Sequence, residues 1–190
     1  MEVFLQIWGG GFYLINKICF AFSEGEDTET GNRIRVFGWL AYILGVPAWV
    51  IILIGSQNLI AASIEAGGLP AMFLGLYISW HRGEKPNDGI YKLVTFLTYI
   101  ALAVGVINSL YLHGGLTSLS QFLEIGVMFG FLLSGYYIAK QNPVGWLYFM
   151  LGNVSMAALT YIEGALILMV QQLVSLIFVI YGYKKSSRIS

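Results

Sequence analysis

Seven apolar stretches, separated by short polar breaks, run along this chain. They cover residues 3–22, 37–55, 57–80, 90–112, 119–138, 143–162 and 164–183. A hydrocarbon layer about 30 Å thick needs ~20 mostly apolar residues per helix. The stretches are continuous rather than alternating, which argues against the strands of a membrane β-barrel. The pattern therefore predicts an all-α integral membrane protein with seven transmembrane helices. The second and sixth stretches contain no Asp, Glu, Lys or Arg. The first is the weakest of the seven, because it carries Asn16, Lys17 and the run Gly9-Gly10-Gly11. Lys17 falls near its end, where a long stem lets the ammonium reach the headgroups. No basic residue precedes this stretch, so it reads as a retained span rather than a signal peptide. The one strongly polar connection, SEGEDTETGNR at residues 23–33, is expected to be a mobile loop.

Composition makes lipid the solvent: 57% of residues are hydrophobic and 11% charged, with a mean hydropathy of +0.74. A soluble domain carries about a quarter charged residues. The formal net charge is zero, so no global field recruits nucleic acid. The single cysteine, Cys19, rules out an internal disulfide or a cysteine-built metal site, and His81 and His113 are placed in different loops. No metal or cofactor is expected.

The basic residues orient the spans. With seven crossings, the connections after the first, third, fifth and seventh share one face. All 10 Lys and Arg fall at or beside that face. The positive-inside bias places it in the cytoplasm, with the N-terminus outside and the C-terminus inside a multi-pass protein of the cell (inner) membrane.

The chain also repeats itself. GWLAYILG (38–45) opens the second span and GWLYFMLG (145–152) opens the sixth, 107 positions later. FLQI (4–7) precedes the first copy and FLEI (122–125) the second, while GLYISW (75–80) and VIYGYKK (179–185) close the third and seventh spans. Spans two and three join through Ser56, and six and seven through Glu163. The order is helix, helix, tight turn, helix, twice, with one crossing between. That predicts a 3+1+3 arrangement of parallel repeats, residues 1–80 and 117–190 about a linker at 81–116. Parallel repeats about an axis along the membrane normal are a transporter architecture, with substrate held between them near the midplane.

Polar groups near the midplane are the candidate site. Glu65 lies eight residues past Gln57, about 12 Å into the layer, and Gln171 and Gln172 reach a similar depth from the same face. Asn153, ten residues past Pro143, comes about 15 Å in from the other side. The 107-residue offset pairs Glu65 with Gln172, whereas aligning Tyr77 on Tyr181 gives 104 and moves the match by almost a turn. Ionisable and amide groups at this depth are functional candidates by default. The alternative is interhelical glue of ~1 kcal/mol, which serves equally well for Gln171 and Asn153. No intramembrane cation is expected beside Glu65, so its counter-charge is the substrate or a proton. Pro70, in AASIEAGGLP, and Pro47 are both expected to interrupt their helices. Glu124 matches Gln6 and shares a helical face with Met128, Phe131 and Gly135, bordering a vestibule or a packing seam. Trp49 is deep enough to stack on a ring-bearing substrate or to fill the core. Trp39, Trp80, Trp146 and Tyr183 are expected to form an aromatic belt. No nucleophile has a positioned base, so the chain does not read as an enzyme.

Residues 142–185, with Trp146, Asn153, the Glu163-Gly164 turn and Gly182-Tyr183 ahead of Lys184-Lys185, resemble the last two helices of the PnuC-type vitamin transporters, members of the SWEET-like class. The second and third spans resemble that family loosely, and its tryptophan-rich helix ends are reduced here to Trp80 and Tyr183. The resemblance implies facilitated diffusion of a small vitamin precursor of the nicotinamide riboside, thiamine or riboflavin kind. An ionised Glu65 favours the cationic pair. A SWEET-like sugar facilitator is the less favoured relative, since the chain lacks a Pro-Gln motif. A non-transporting seven-helix sensor or assembly subunit, which could form a homo-oligomer, is the alternative of a different class.

Overall fold

The computed structural model describes residues 2–55, 59–113, 115 and 118–188. Among them every regular element is an α-helix: α1 (Glu2–Ser23), α2 (Thr28–Gly55), α3 (Leu59–Gly67), α4 (Leu69–Trp80), α5 (Asp88–His113), α6 (Leu119–Ala139), α7 (Val144–Ile162) and α8 (Leu166–Ser186). Short polar side chains start several of them by holding amides that have no partner inside the helix. Asp27 accepts from the amides of Glu29 and Thr30 at the head of α2. Asn87 accepts from Ile90 at the head of α5, and Ser118 from Gln121 at the head of α6. Five helices, α1, α2, α5, α6 and α8, are each long and apolar enough to cross a membrane. The chain is consistent with a multi-pass membrane protein.

The helices correspond to the expected spans with two differences. The third span is two helices. Pro70, at the second position of α4, has no amide to donate to the carbonyl four residues back, so the ladder loses a bond there, while the Gly68 N–H still bonds Ile64 O and shares it with Glu65 O. Gly68 keeps helical dihedrals (φ −75°, ψ −21°), so α4 follows α3 with a one-residue interruption. Pro47 does not have this effect: α2 runs through it to Gly55. The expected tight turn at Ser56, and Gln57, lie outside the described residues. The second difference is the polar segment 23–33, which is not a loose loop. α2 begins at Thr28, and the four residues before it are tied down. Arg35 binds Glu24 at 3.1 Å and Ser23 Oγ at 3.1 Å, and Lys185 binds Glu26 at 3.2 Å.

Packing links all the helices except α5 into a ring. α1 packs on α2 and α8, α2 on α3 and α4, those two on α6, α6 on α7, and α7 on α8. α5 packs on α3, α4 and α6 and sits against the outside of that seam. Polar pairings give the directions. Trp8 Nε1 donates to Leu44 O and Asn16 to Gly38 O, so α1 and α2 are antiparallel. Gln171 donates to Gly10 O and Lys185 to Phe22 O, so α1 and α8 are parallel.

The two eight-residue segments make corresponding contacts. Gly38 lies against Phe20, and Gly145 against Ile138; a Cβ on either glycine would come within 2.7 Å of that side chain. Gly45 is covered by the ring of Tyr13 and Gly152 by the ring of Phe131. Trp39 lies over Gly75, where a Cβ would be 2.2 Å from the indole, and Trp146 lies over Gly182, where it would be 2.4 Å away. Trp39 and Trp146 are 1% and 0% exposed. They belong to the core and not to an aromatic belt; of the expected belt residues Trp80, at 69%, is the exposed one.

Lys17 departs furthest from expectation. It does not reach the headgroups: it is 1% exposed, inside the bundle. The face of α1 that carries Tyr13 and Phe20 (i and i+7) also carries Lys17 at i+4, so packing that face against the ring draws the ammonium inward. The other nine basic residues stay at the expected end, where α1, α4, α6 and α8 finish and α2, α5 and α7 begin.

Candidate binding cavity

A cavity of about 80 Å³ lies among α2, α3, α6 and α7, toward the end opposite the basic residues. Tyr42, Trp49 and Leu53 reach it from α2, and Ile64 and Glu65 from α3. Gly68 and Met72 line it beside the helix break, so the interruption at Pro70 forms part of the wall. From α6 come Glu124, Val127, Met128, Phe131 and Leu132, consistent with the face that puts Glu124, Met128 and Phe131 in register. Ser109, Met156 and Leu159 complete it. Small-molecule pockets run to about 300–1,000 Å³, so in this conformation the helices are closed around less space than such a pocket holds.

Glu65 is held by a neighbour the sequence did not single out. The Tyr13 hydroxyl donates to Glu65 Oε2 at 2.6 Å, fixing the carboxylate between α1 and α3. Tyr13 is itself wedged edge-on against Tyr42, with ring centroids 4.9 Å apart, and lies 5.8 Å from Trp49. Behind this layer, away from the cavity lining, is Lys17. Its Nζ lies 5.1 Å from the Phe131 ring centroid, 5.9 Å from Tyr13 and 6.0 Å from Phe149. It has no hydrogen-bond acceptor among the described residues. Tyr13 stands between it and Glu65, with its ring 5.9 Å from Nζ and its hydroxyl on the carboxylate, and no direct ion pair joins the two. The direct ion pairs among the described residues, Arg33–Glu29, Arg35–Glu24 and Lys185–Glu26, all lie at the basic end. The expectation that no intramembrane cation accompanies Glu65 is therefore corrected. The helical phase of Lys17, four residues after Tyr13 and three before Phe20, was the signal for it.

The candidate residues separate into two groups. Trp49, Glu65 and Glu124 meet around the cavity. Asn153, Gln171 and Gln172 do not line it. Gln171 donates to Gly10 O at 2.9 Å and joins α8 to α1. Asn153 is fully buried and donates to Phe149 O one turn back, which leaves its Oδ1 without a donor among the described residues. Gln172 is 1% exposed, and its Oε1 is likewise unpaired there. In the turn after α7, partial burial and then the charge of Glu124 push the Glu163 carboxyl above its ordinary range. Among the described residues no group of three or more His, Cys, Asp or Glu is placed to hold a metal ion.

No family model matches the chain, and neither a curated protein nor a solved structure matches it.

Proposed function

We propose that the chain is a membrane transporter of the SWEET-like, PnuC type, which passes a small vitamin precursor across the cell (inner) membrane without ATP. Two three-helix halves, 1–80 and 117–190, enclose the path and the linker 81–116 reverses direction between them. The observation that carries this reading is the set of corresponding contacts. Phe20/Ile138 and Tyr13/Phe131 cover the same two glycines of each half at one shared offset of 118 positions. Trp39 over Gly75 and Trp146 over Gly182 repeat at an offset of 107. Chance similarity between apolar helices would not preserve side-chain partners as well as letters. The same offset supports pairing Glu65 with Gln172 over the alternative of 104.

The cavity lining favours a cationic substrate, of the nicotinamide riboside or thiamine kind. Its charged members are Glu65 and Glu124, with Lys17 set behind Phe131. In a low-dielectric site such carboxylates attract a cation strongly. Purified protein in liposomes should equilibrate labelled thiamine or nicotinamide riboside, and Glu65→Gln should slow this severely. If Glu65→Gln and Gln172→Leu both take up substrate at the wild-type rate, the site is elsewhere. The second reading is a non-transporting sensor or assembly subunit, favoured by the way Gln171 serves the α1–α8 seam. It predicts uptake of none of these vitamins.

A further inference from the structure

We propose that the protein exchanges one organic cation for one proton, and that Glu65 and Lys17 together form the site that carries the proton. This rests on the transport reading above.

The two groups are unlike the rest of the interior. Corresponding positions in the second half are Gln172 for Glu65 and Gly135 for Lys17, by the offsets of 107 and 118 positions. Neither of those ionises, so the packing that the halves share does not require the charges. The groups around them are accounted for. α1 contributes Tyr13 and α2 contributes Tyr42, both phenols. α6 and α7 present the rings of Phe131 and Phe149 to Lys17. The buried polar side chains of α8, Gln172 and Ser175, do not ionise in the accessible range, and Glu124 reaches the cavity from α6.

Charge then links proton to substrate. An ammonium at Lys17 with a carboxylate at Glu65 is net neutral and holds one proton. Losing that proton leaves one net negative charge in a medium where an uncompensated ion is costly. Nothing among the described residues accepts a hydrogen bond from Lys17 to retain it. Tyr13 links the two groups, with its ring 5.9 Å from Lys17 Nζ and its hydroxyl on Glu65, which lines the cavity; the proton's route from Lys17 to water in the cavity therefore runs along Tyr13 and Glu65. A cation arriving beside Glu65 restores neutrality. The exchange balances: Lys17–NH3⁺, Glu65–COO⁻ and the free cation give Lys17–NH2, the cation held on Glu65–COO⁻, and a free proton. The site is neutral with a proton or with substrate, and charged with neither, so helix rearrangement occurs in the two loaded states.

The test uses the full-length protein in liposomes with a pH-sensitive dye inside and labelled thiamine or nicotinamide riboside outside. The expected result is a rise in lumenal pH with one proton leaving per cation taken up, unchanged when the membrane potential is clamped with valinomycin and potassium. An acidified lumen should accelerate uptake and an alkaline one should retard it. Uptake with no proton movement overturns the exchange and leaves the transport reading intact. No uptake of either cation overturns the transport reading and this one with it. Lys17→Arg, which keeps its proton permanently, should lose both proton release and uptake; wild-type coupling in that variant also overturns the exchange. If the variant does not fold, the wild-type proton count still decides.

Discussion

Tyr13 and Gln171 both bridge helices through one hydrogen bond, yet they hold different kinds of acceptor. Tyr13 donates to a carboxylate oxygen in the interior, and Gln171 to a backbone carbonyl at the α1–α8 seam. A bond to a charged group is worth about 1.5–3 kcal/mol, while an interhelical amide bond in a membrane is worth about 1 kcal/mol. Tyr13→Phe should therefore lower the unfolding midpoint in detergent more than Gln171→Leu does, and only Tyr13→Phe should also slow uptake. Equal destabilisation would mean that Glu65 does not depend on Tyr13. Glu65, Glu124 and Trp49 were legible because depth along a span follows from counting residues. Tyr13 and Lys17 were not, because their role depends on which face of α1 turns inward. Asn153 and Gln172 were recognised as deep, but depth alone does not say whether a side chain opens to the cavity.

Among the elements, α6 and α7 approach backbone to backbone. A Cβ on Gly130 would lie 2.2 Å from Gly152 Cα and 2.3 Å from its amide nitrogen, so backbone rather than a side chain would have to move. Gly11 on α1 has nothing within 4 Å of the same point. Gly130→Ala should cost at least about 1–3 kcal/mol through overpacking, whereas Gly11→Ala should be neutral or gain up to about 0.5–1 kcal/mol in helix propensity. Thermal unfolding of the two variants side by side checks this; equal midpoints would contradict the α6–α7 packing. Hydrophobic runs located these helices well, since period and length act within one segment. The start of α2 was misjudged because Thr28–Val36 is polar, and its helix is set by the Asp27 cap and by ion pairs to other segments. Pro47 and Pro70 look alike in sequence, and only the two glycines before Leu69 distinguish the one that interrupts its ladder.

At the scale of the molecule, the seven crossings proposed above, being odd in number, set the ends on opposite faces. α1 begins, and α8 ends, at opposite ends of the ring because the two helices run parallel. In a Cys19→Ser background, Glu2→Cys and Arg188→Cys should react with a membrane-impermeant maleimide from opposite sides, with Arg188→Cys protected in intact cells. Labelling of both from one side would remove a span. The basic end is legible in sequence because Lys and Arg accumulate there whatever the tertiary fold. Ring closure is not, since α1 meets α8 through residues separated by almost the whole chain.

The buried ammonium of Lys17 also bears on how such a chain is made. Phe131 and Phe149, which shelter it, belong to α6 and α7 and are synthesised only after α2 to α5. Until then α1 is a nascent helix carrying a charge that lipid tolerates poorly. A chain ending before α6 therefore lacks both of the rings that shelter this ammonium, and α1 keeps its place only once the last third of the polypeptide packs against it.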